Sequence, residues 1–411
     1  MTDRFFSHTY ANGLTLLAER MPGVKSAAMN LLLPAGGVSD PVGRLGSATV
    51  LVEMAMRGAG DRDARALTEH LDDLGLARSS GASLNHTRFT AASLAANVLR
   101  GLEVYADVVL RPHLRDDAFG PSRELALNAL AGLQDSPQSL SMIRLREIAW
   151  PAPYGRNPMG DEADLEKLTS ADVREDHARR YVPLGSILAV AGDVDFDQWR
   201  DEVARCFDGW RSREPGALEL SPAAERFRFI EQDSQQTHIA LACPTAAEPD
   251  DDYYLARLAI EVLSGGMSGR LFSEIREKRG LCYSVSASYA SAPGIGSVFC
   301  YAGTSNERAQ ETLDALVHEL RRLARGATPD ELERARIGLK TGTVMSGESS
   351  SARASMIARD WFLRGRIRTL DEVLSAIDSV TVDQLNAYLA SKPMSEMTTV
   401  LIGPRKLEMI H

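Results

Sequence analysis

Eight histidines are the readiest metal ligands and proton carriers in this chain: His8, His70, His86, His113, His177, His238, His318 and His411. The closest two, His70 and His86, stand 16 positions apart, so no His-x-x-x-His pair places two imidazoles on one helix face. That removes the commonest helix-borne zinc site and leaves only one assembled from distant histidines. Cys206, Cys243, Cys282 and Cys300 are too dispersed for a Cys-x-x-Cys, which excludes a zinc ribbon and a thioredoxin-type motif. No G-x-x-x-x-G-K-S/T, G-x-G-x-x-G or G-x-S-x-G occurs, so nucleotide and serine-hydrolase chemistry have no footing. Asn85-His86-Thr87 matches a glycosylation sequon by chance, since nothing suggests secretion. Spacing alone points to no catalytic site.

The elements that would have to position any chemistry belong to an ordinary globular chain. Apolar residues are 44% and charged residues 25% of 411, enough for two large domains or three ordinary ones. Lys plus Arg less Asp plus Glu is 46 − 56 = −10, an acidic balance that argues against a nucleic-acid partner. No run of 18 apolar residues predicts a membrane span. Met1-Thr2-Asp3-Arg4-Phe5-Phe6-Ser7 shows neither a secretory signal nor a transit segment. With its scattered cysteines, the chain reads as a soluble cytoplasmic protein.

An internal repeat organises the rest. Asp172-Val173 through Pro183 to Ile187–Gly192 matches Asp383-Gln384 through Pro393 to Thr399–Gly403 at an offset of 211, with 20 positions from Asp to Gly in each copy. The same offset sets Leu102-Glu103 against Leu313-Asp314. Two matches at one offset indicate two similar domains of roughly 200 residues. The polar, proline-containing stretch from Trp210 through Pro215 to Pro222 reads as the linker. The expected division is 1–209, linker 210–224, and 225–411. Apolar runs 27–33 and 237–243 predict strands. Leu67, Leu71 and Leu74 predict a helix. Thr328-Pro329-Asp330-Glu331 is a helix start with a capping box, and Thr169-x-x-Asp172 and Thr381-x-x-Gln384 are weaker versions. Helices interleaved with strands, twice over, give an α+β pair of similar domains, each a β-sheet flanked by helices.

Gly265-Gly266-Met267-Ser268-Gly269-Arg270-Leu271-Phe272-Ser273-Glu274-Ile275-Arg276-Glu277-Lys278-Arg279-Gly280-Leu281-Cys282-Tyr283-Ser284-Val285 strongly resembles a C-terminal-domain motif of the insulinase-like zinc metallopeptidases, the family of pitrilysin and mitochondrial processing peptidase. Pro153-Tyr154-Gly155-Arg156-Asn157-Pro158-Met159-Gly160 is similar to a second segment of that family, and Tyr10-Ala11-Asn12-Gly13-Leu14-Thr15 looks like its first strand. The resemblance implies an inverted zinc motif, His-x-x-Glu-His, in the first domain and a glutamate ligand about 76 residues later. Registered on Arg57-Gly58, the motif falls on Thr49-Val50-Leu51-Val52-Glu53 and the distal ligand near Ala129. Thr49 and Glu53 replace both histidines and Val52 the general base, so this chain is expected to bind no metal.

The resemblance also implies an Arg and a Tyr seven residues apart that face the zinc, matching Arg276 and Tyr283 here. A guanidinium and a phenol aimed at a tetrahedral oxyanion supply preorganised charge stabilisation. Gly280 would end the helix and let Tyr283 begin a strand. The plainer alternatives are a cation favoured at a helix C-terminus and a half-buried strand tyrosine. The implied function is that of the non-zinc subunit of a heteromeric metallopeptidase acting on unfolded peptides, half of a four-domain clamshell. A homologous partner bearing His-x-x-Glu-His and zinc would complete it. The alternatives are an inactive scaffold subunit and a homodimer that binds peptides without cutting them.

Overall fold

The computed structural model describes residues 4–211, 218–392, 394 and 396–409. Its contacts divide the chain into two compact units. One gathers Met1–Gly132, Arg156–Glu219 and Ser346–Ile367; the other gathers Leu133–Gly155, Leu220–Met345 and Arg368–His411. Each unit thus includes a short segment from the other half of the sequence, which the division at 210–224 did not contain. Residues 212–217 of that expected linker, and Pro393 of the second repeat, lie outside the described residues. Trp210 is buried in the first unit, its indole N–H donating to the Tyr181 carbonyl at 3.0 Å.

The strands in chain order are β1 (Phe5–Thr9), β2 (Thr15–Arg20), β3 (Ser26–Leu33), β4 (Gly58–Ala59), β5 (Arg62–Asp63), β6 (Ala77–Ala82), β7 (Thr87–Leu94), β8 (Ile187–Gly192), β9 (Phe227–Glu231), β10 (Gln236–Thr245), β11 (Ser284–Ala292), β12 (Ile295–Ser305) and β13 (Thr398–Gly403). The first unit's sheet runs β1-β2-β8-β3-β7-β6 and the second unit's β11-β12-β10-β13-β9. Read from the far end, β9-β13-β10-β12-β11 repeats β2-β8-β3-β7-β6, and the directions repeat as well. The first pair of each series is parallel and the remaining pairs are antiparallel. The duplication is therefore one of topology, with β1 added to the first copy.

The repeat keeps the offset of 211 in β8 and β13 and slips by one in the helices that precede those two strands. Thr169 and Thr381 each form a capping box with the third residue of the helix, Asp172 and Gln384, at an offset of 212, while β8 and β13 end on Gly192 and Gly403 at 211. Thr328 and Glu331 are joined by the same reciprocal bonds at the head of Pro329–Ser346. The segment 10–15 does not form a first strand. Tyr10–Gly13 is the turn between β1 and β2, because Gly13 adopts φ +93° and the Asn12 side chain accepts the Leu14 N–H; Thr15 opens β2.

Each sheet is covered on both faces, which is why β3 reads as an unbroken apolar run. Met29, Leu31 and Leu33 face the larger core with Phe89 and Tyr105. Ala28 and Leu32 face the Ser350–Arg364 helix, packing with Leu17, Ile187, Ile357 and Ala354. A buried ion pair adds to this face: Glu19, fully buried on β2, accepts from Arg353 on the helix at 2.7 Å and from Arg4 at 2.8 Å. In the second unit the Pro137–Ala149 helix takes the matching place. Trp150 at its end lies 5.6 Å from the Phe299 ring and donates to Ser297, and Glu147 pairs with Arg228 at 3.0 Å.

Candidate functional site

The candidate chemistry sits in the second unit between the Tyr253–Ser264 helix and β11. Gly265 and Gly266 turn the chain, Gly266 at φ +91°. Gly269 passes so close to the preceding helix that a β-carbon there would stand 2.9 Å from the Leu263 carbonyl, a distance only glycine avoids. Arg270 then folds inward rather than outward. Its guanidinium is buried and grips Glu331 through two bonds of 2.7 and 2.8 Å, with a third to the Gly326 carbonyl. This pair docks the motif to the head of the Pro329–Ser346 helix, and nothing in the sequence pattern distinguished it from the other arginines nearby.

Phe272–Glu277 is wound as one π-type turn, with the Lys278 N–H bonded five residues back to Ser273 at 3.0 Å. Such turns are uncommon and recur at functional sites. Gly280 closes it in the left-handed conformation (φ +60°), its N–H on the Arg276 carbonyl and the next N–H, of Leu281, on Ile275. The helix ends at Gly280 as expected, and Tyr283 joins the sheet edge through its N–H to the Gly303 carbonyl at 3.0 Å, just ahead of β11. Leu271, Ile275, Leu281 and Cys282 are buried and anchor the segment.

Against that anchored backbone, Arg276 and Tyr283 point outward. Arg276 is exposed, its guanidinium 5.0 Å from the centre of the Phe272 ring, and Tyr283 is 69% exposed. Among the described residues neither side chain has a hydrogen-bond or ion-pair partner, so all their donors are free for a ligand. A strand tyrosine serving only the core would be half-buried; this one is not. Burial pushes the pKa of the Cys282 thiol between them up, with the Arg276 charge opposing in part.

The first unit presents the positions where the resemblance put a metal. Thr49, Val52 and Glu53 lie on the Ser47–Ala55 helix, and Ala129 is exposed on the neighbouring Asp116–Ala131 helix. The Thr49 hydroxyl donates to the Pro158 carbonyl at 3.2 Å, and Val52 is buried. An alcohol already engaged, two alkyl groups and one carboxylate do not make a zinc site, and these residues do not fit the metal. Among the described residues no group of three His, Cys, Asp or Glu side chains could hold one.

The helix that bears those positions is nonetheless firmly held. Buried Asp40 accepts from the Gly46 and Ala48 N–H groups and the Ser47 hydroxyl, and pairs with buried Arg180 at 2.6 Å, which also binds Asp176. Arg156 donates to the Asp40 carbonyl at 2.9 Å, and Gly160 lies against Gly46 so closely that no β-carbon fits. The Arg156–Gly160 part of the Pro153–Gly160 segment is thus a brace for the start of this helix, a role its residue types did not disclose.

Residues 15–162 match the family described as insulinase (peptidase family M16), and residues 167–339 match the peptidase M16 inactive domain. An uncharacterised zinc protease of Mycobacterium bovis is 28% identical over 407 residues, 96% of this chain and 92% of that protein. A peptidase M16 inactive domain from Pseudomonas fluorescens superposes with a TM-score of 0.86 at 22% identity, over 99% of this chain and 100% of that one. A Helicobacter pylori protease gives a TM-score of 0.87 at 21% identity, over 97% of this chain and 99% of the other.

Proposed function

We propose, because the chain belongs to the insulinase family of peptidases (family M16) and its own residues do not fit that family's metal, that it is the non-zinc subunit of a heteromeric peptidase. A homologous partner would hold the zinc and supply the metal-activated nucleophile. This chain would supply Arg276 and Tyr283 to an unfolded peptide substrate. Peptide hydrolysis builds negative charge on the scissile carbonyl oxygen, and a phenol O–H and a guanidinium N–H held ready for that oxygen stabilise it without reorganisation. Arg276 also offers a rigid fork of donors to neighbouring carbonyls.

The observation that carries this reading is the contrast between the two units. One set of family positions has lost its ligands altogether, while Arg276 and Tyr283 project unpartnered from a backbone fixed by four buried side chains. The test is to recover the tagged chain with its companions from its native cells and assay chelator-sensitive peptide hydrolysis. A co-purifying homologue that carries zinc, with activity present only in the mixture, supports the proposal. A chain that comes down alone, or an assembly without hydrolysis, overturns it in favour of a scaffold.

A further inference from the structure

His238 takes part neither in the second unit's core nor in the chemistry described above. Ile239, Leu241 and Cys243 of β10 face that core, with Cys300 and Ala302 of β12. Side chains alternate along a strand, so His238 and Tyr301 project from the opposite face, the one on which Trp150 meets Ser297 and Phe299. There Nδ1 of His238 and the Tyr301 hydroxyl are joined at 2.8 Å, the two residues being 7% and 4% exposed. Gly303, the cross-strand partner of His238, makes the reach possible. A β-carbon on it would stand 2.8 Å from the Tyr301 hydroxyl, so only glycine lets the phenol lean across to the imidazole. Nε2 of His238 has no partner among the described residues, yet it is not sealed from solvent. A buried imidazole ordinarily satisfies both nitrogens, and this one keeps the second in reserve.

The pair stands close to the candidate site. Gly303 is flanked in register by His238 on one side and by Ser284, the residue after Tyr283, on the other. The imidazole therefore lies two strand spacings, about 10 Å, from the start of β11. Cys282 lies between the two groups: the Arg276 charge reaches its thiol, and the thiol in turn bears on the Tyr301 phenol. Burial lowers the pKa of His238, which keeps the ring neutral at neutral pH. A neutral imidazole that accepts at Nδ1 carries its proton on Nε2, so the bond from Tyr301 decides which nitrogen donates. We propose that His238 is a further peptide-binding residue of the candidate site, its Nε2–H donating to a main-chain carbonyl of the substrate, with Tyr301 as the positioning residue that fixes ring and tautomer. An amide carbonyl is the matching acceptor, because a neutral donor brings no charge to a carboxylate. The inference rests on the proposed function for its substrate and adds a third donor to those of Arg276 and Tyr283.

The test uses the full chain and a fluorescein-labelled unfolded peptide without ionisable side chains, read by anisotropy. His238→Gln and His238→Asn divide the two jobs of the ring. A glutamine amide can place an N–H where Nε2 stands, whereas an asparagine amide reaches only the Nδ1 position and can keep the Tyr301 bond. Binding should weaken about five- to tenfold in His238→Asn and stay within about twofold of the natural chain in His238→Gln. A role confined to holding Tyr301 predicts the reverse order, seen in melting and not in binding. Histidine-selective ¹⁵N spectra of the unmutated chain give a second measurement that needs no folded variant at position 238. The signals that Tyr301→Phe displaces should show a proton on Nε2, and that nitrogen should shift when the peptide is added. A proton on Nδ1, no shift with peptide, equal binding by the Gln and Asn variants, or no binding by the natural chain overturns the proposal. Hydrolysis in a mixed complex without the Gln–Asn contrast would sink the His238 contact alone; the contrast with no hydrolysis in any complex would sink the proposed function alone.

Discussion

Arg276 and Tyr283 can be removed without touching the core that presents them. Both are exposed and unpartnered, so Arg276→Ala and Tyr283→Phe should move stability by no more than about 0.5 kcal/mol. In a complex with a zinc-bearing partner each should lower kcat by about 10²–10³-fold, read beside unchanged melting curves. Arg270, six residues before Arg276, behaves in the opposite way. Its guanidinium chiefly holds the Glu331 carboxyl at about 2, against an ordinary 4.5. A carboxyl depressed in the folded state stabilises it above the ordinary pKa, and that contribution is lost as pH falls through the folded value. Glu331→Gln should therefore lower stability at neutral pH and flatten its pH dependence between about 4.5 and 2, measurable by denaturant midpoints across that window. The motif was legible as a motif, but it mixes one arginine that folds the loop with one that faces solvent. Residue type and spacing are silent on that distinction, because burial is decided by the Pro329–Ser346 helix some sixty residues away.

Among the elements, those set by local chemistry were readable and those set by distant packing were not. The three capping boxes expected at Thr169, Thr328 and Thr381 formed because each needs only residues within one turn. The covering role of the Ser350–Arg364 helix had no such local sign. Its alanines and Ile357 announce a buried face, but the strands they meet, β2, β3 and β8, lie roughly 160 to 340 residues earlier in the chain. Arg353 has a definite task there, neutralising Glu19 where water does not reach. Glu19→Ala leaves that guanidinium buried without a carboxylate and should cost about 3–5 kcal/mol. A urea titration would register the loss as a lower midpoint; an unchanged midpoint would mean that Arg353 escapes to water.

At the scale of the molecule, the duplication was visible because a repeated strand order leaves repeated spacing, whereas the exchange of one helix per half leaves none. Each unit is finished by a segment from the other half, so a contiguous half is incomplete. Residues 1–211 expressed alone should expose the face formed by Leu17, Leu32, Ile187 and Ala189, and should aggregate or melt without cooperativity. Adding a peptide spanning 346–367 should restore a cooperative transition, followed by circular dichroism. A fragment that melts sharply on its own would show that the helix is dispensable. The same exchange has a consequence for synthesis. The first unit cannot close when its own half leaves the ribosome, since Arg364 lies 153 positions beyond Arg211. At about 5–20 residues per second that is a wait of roughly 8–30 s with an apolar sheet uncovered. The nascent chain is most in need of a chaperone during that interval, and substitutions that hasten aggregation should act there even where they leave the finished fold untouched.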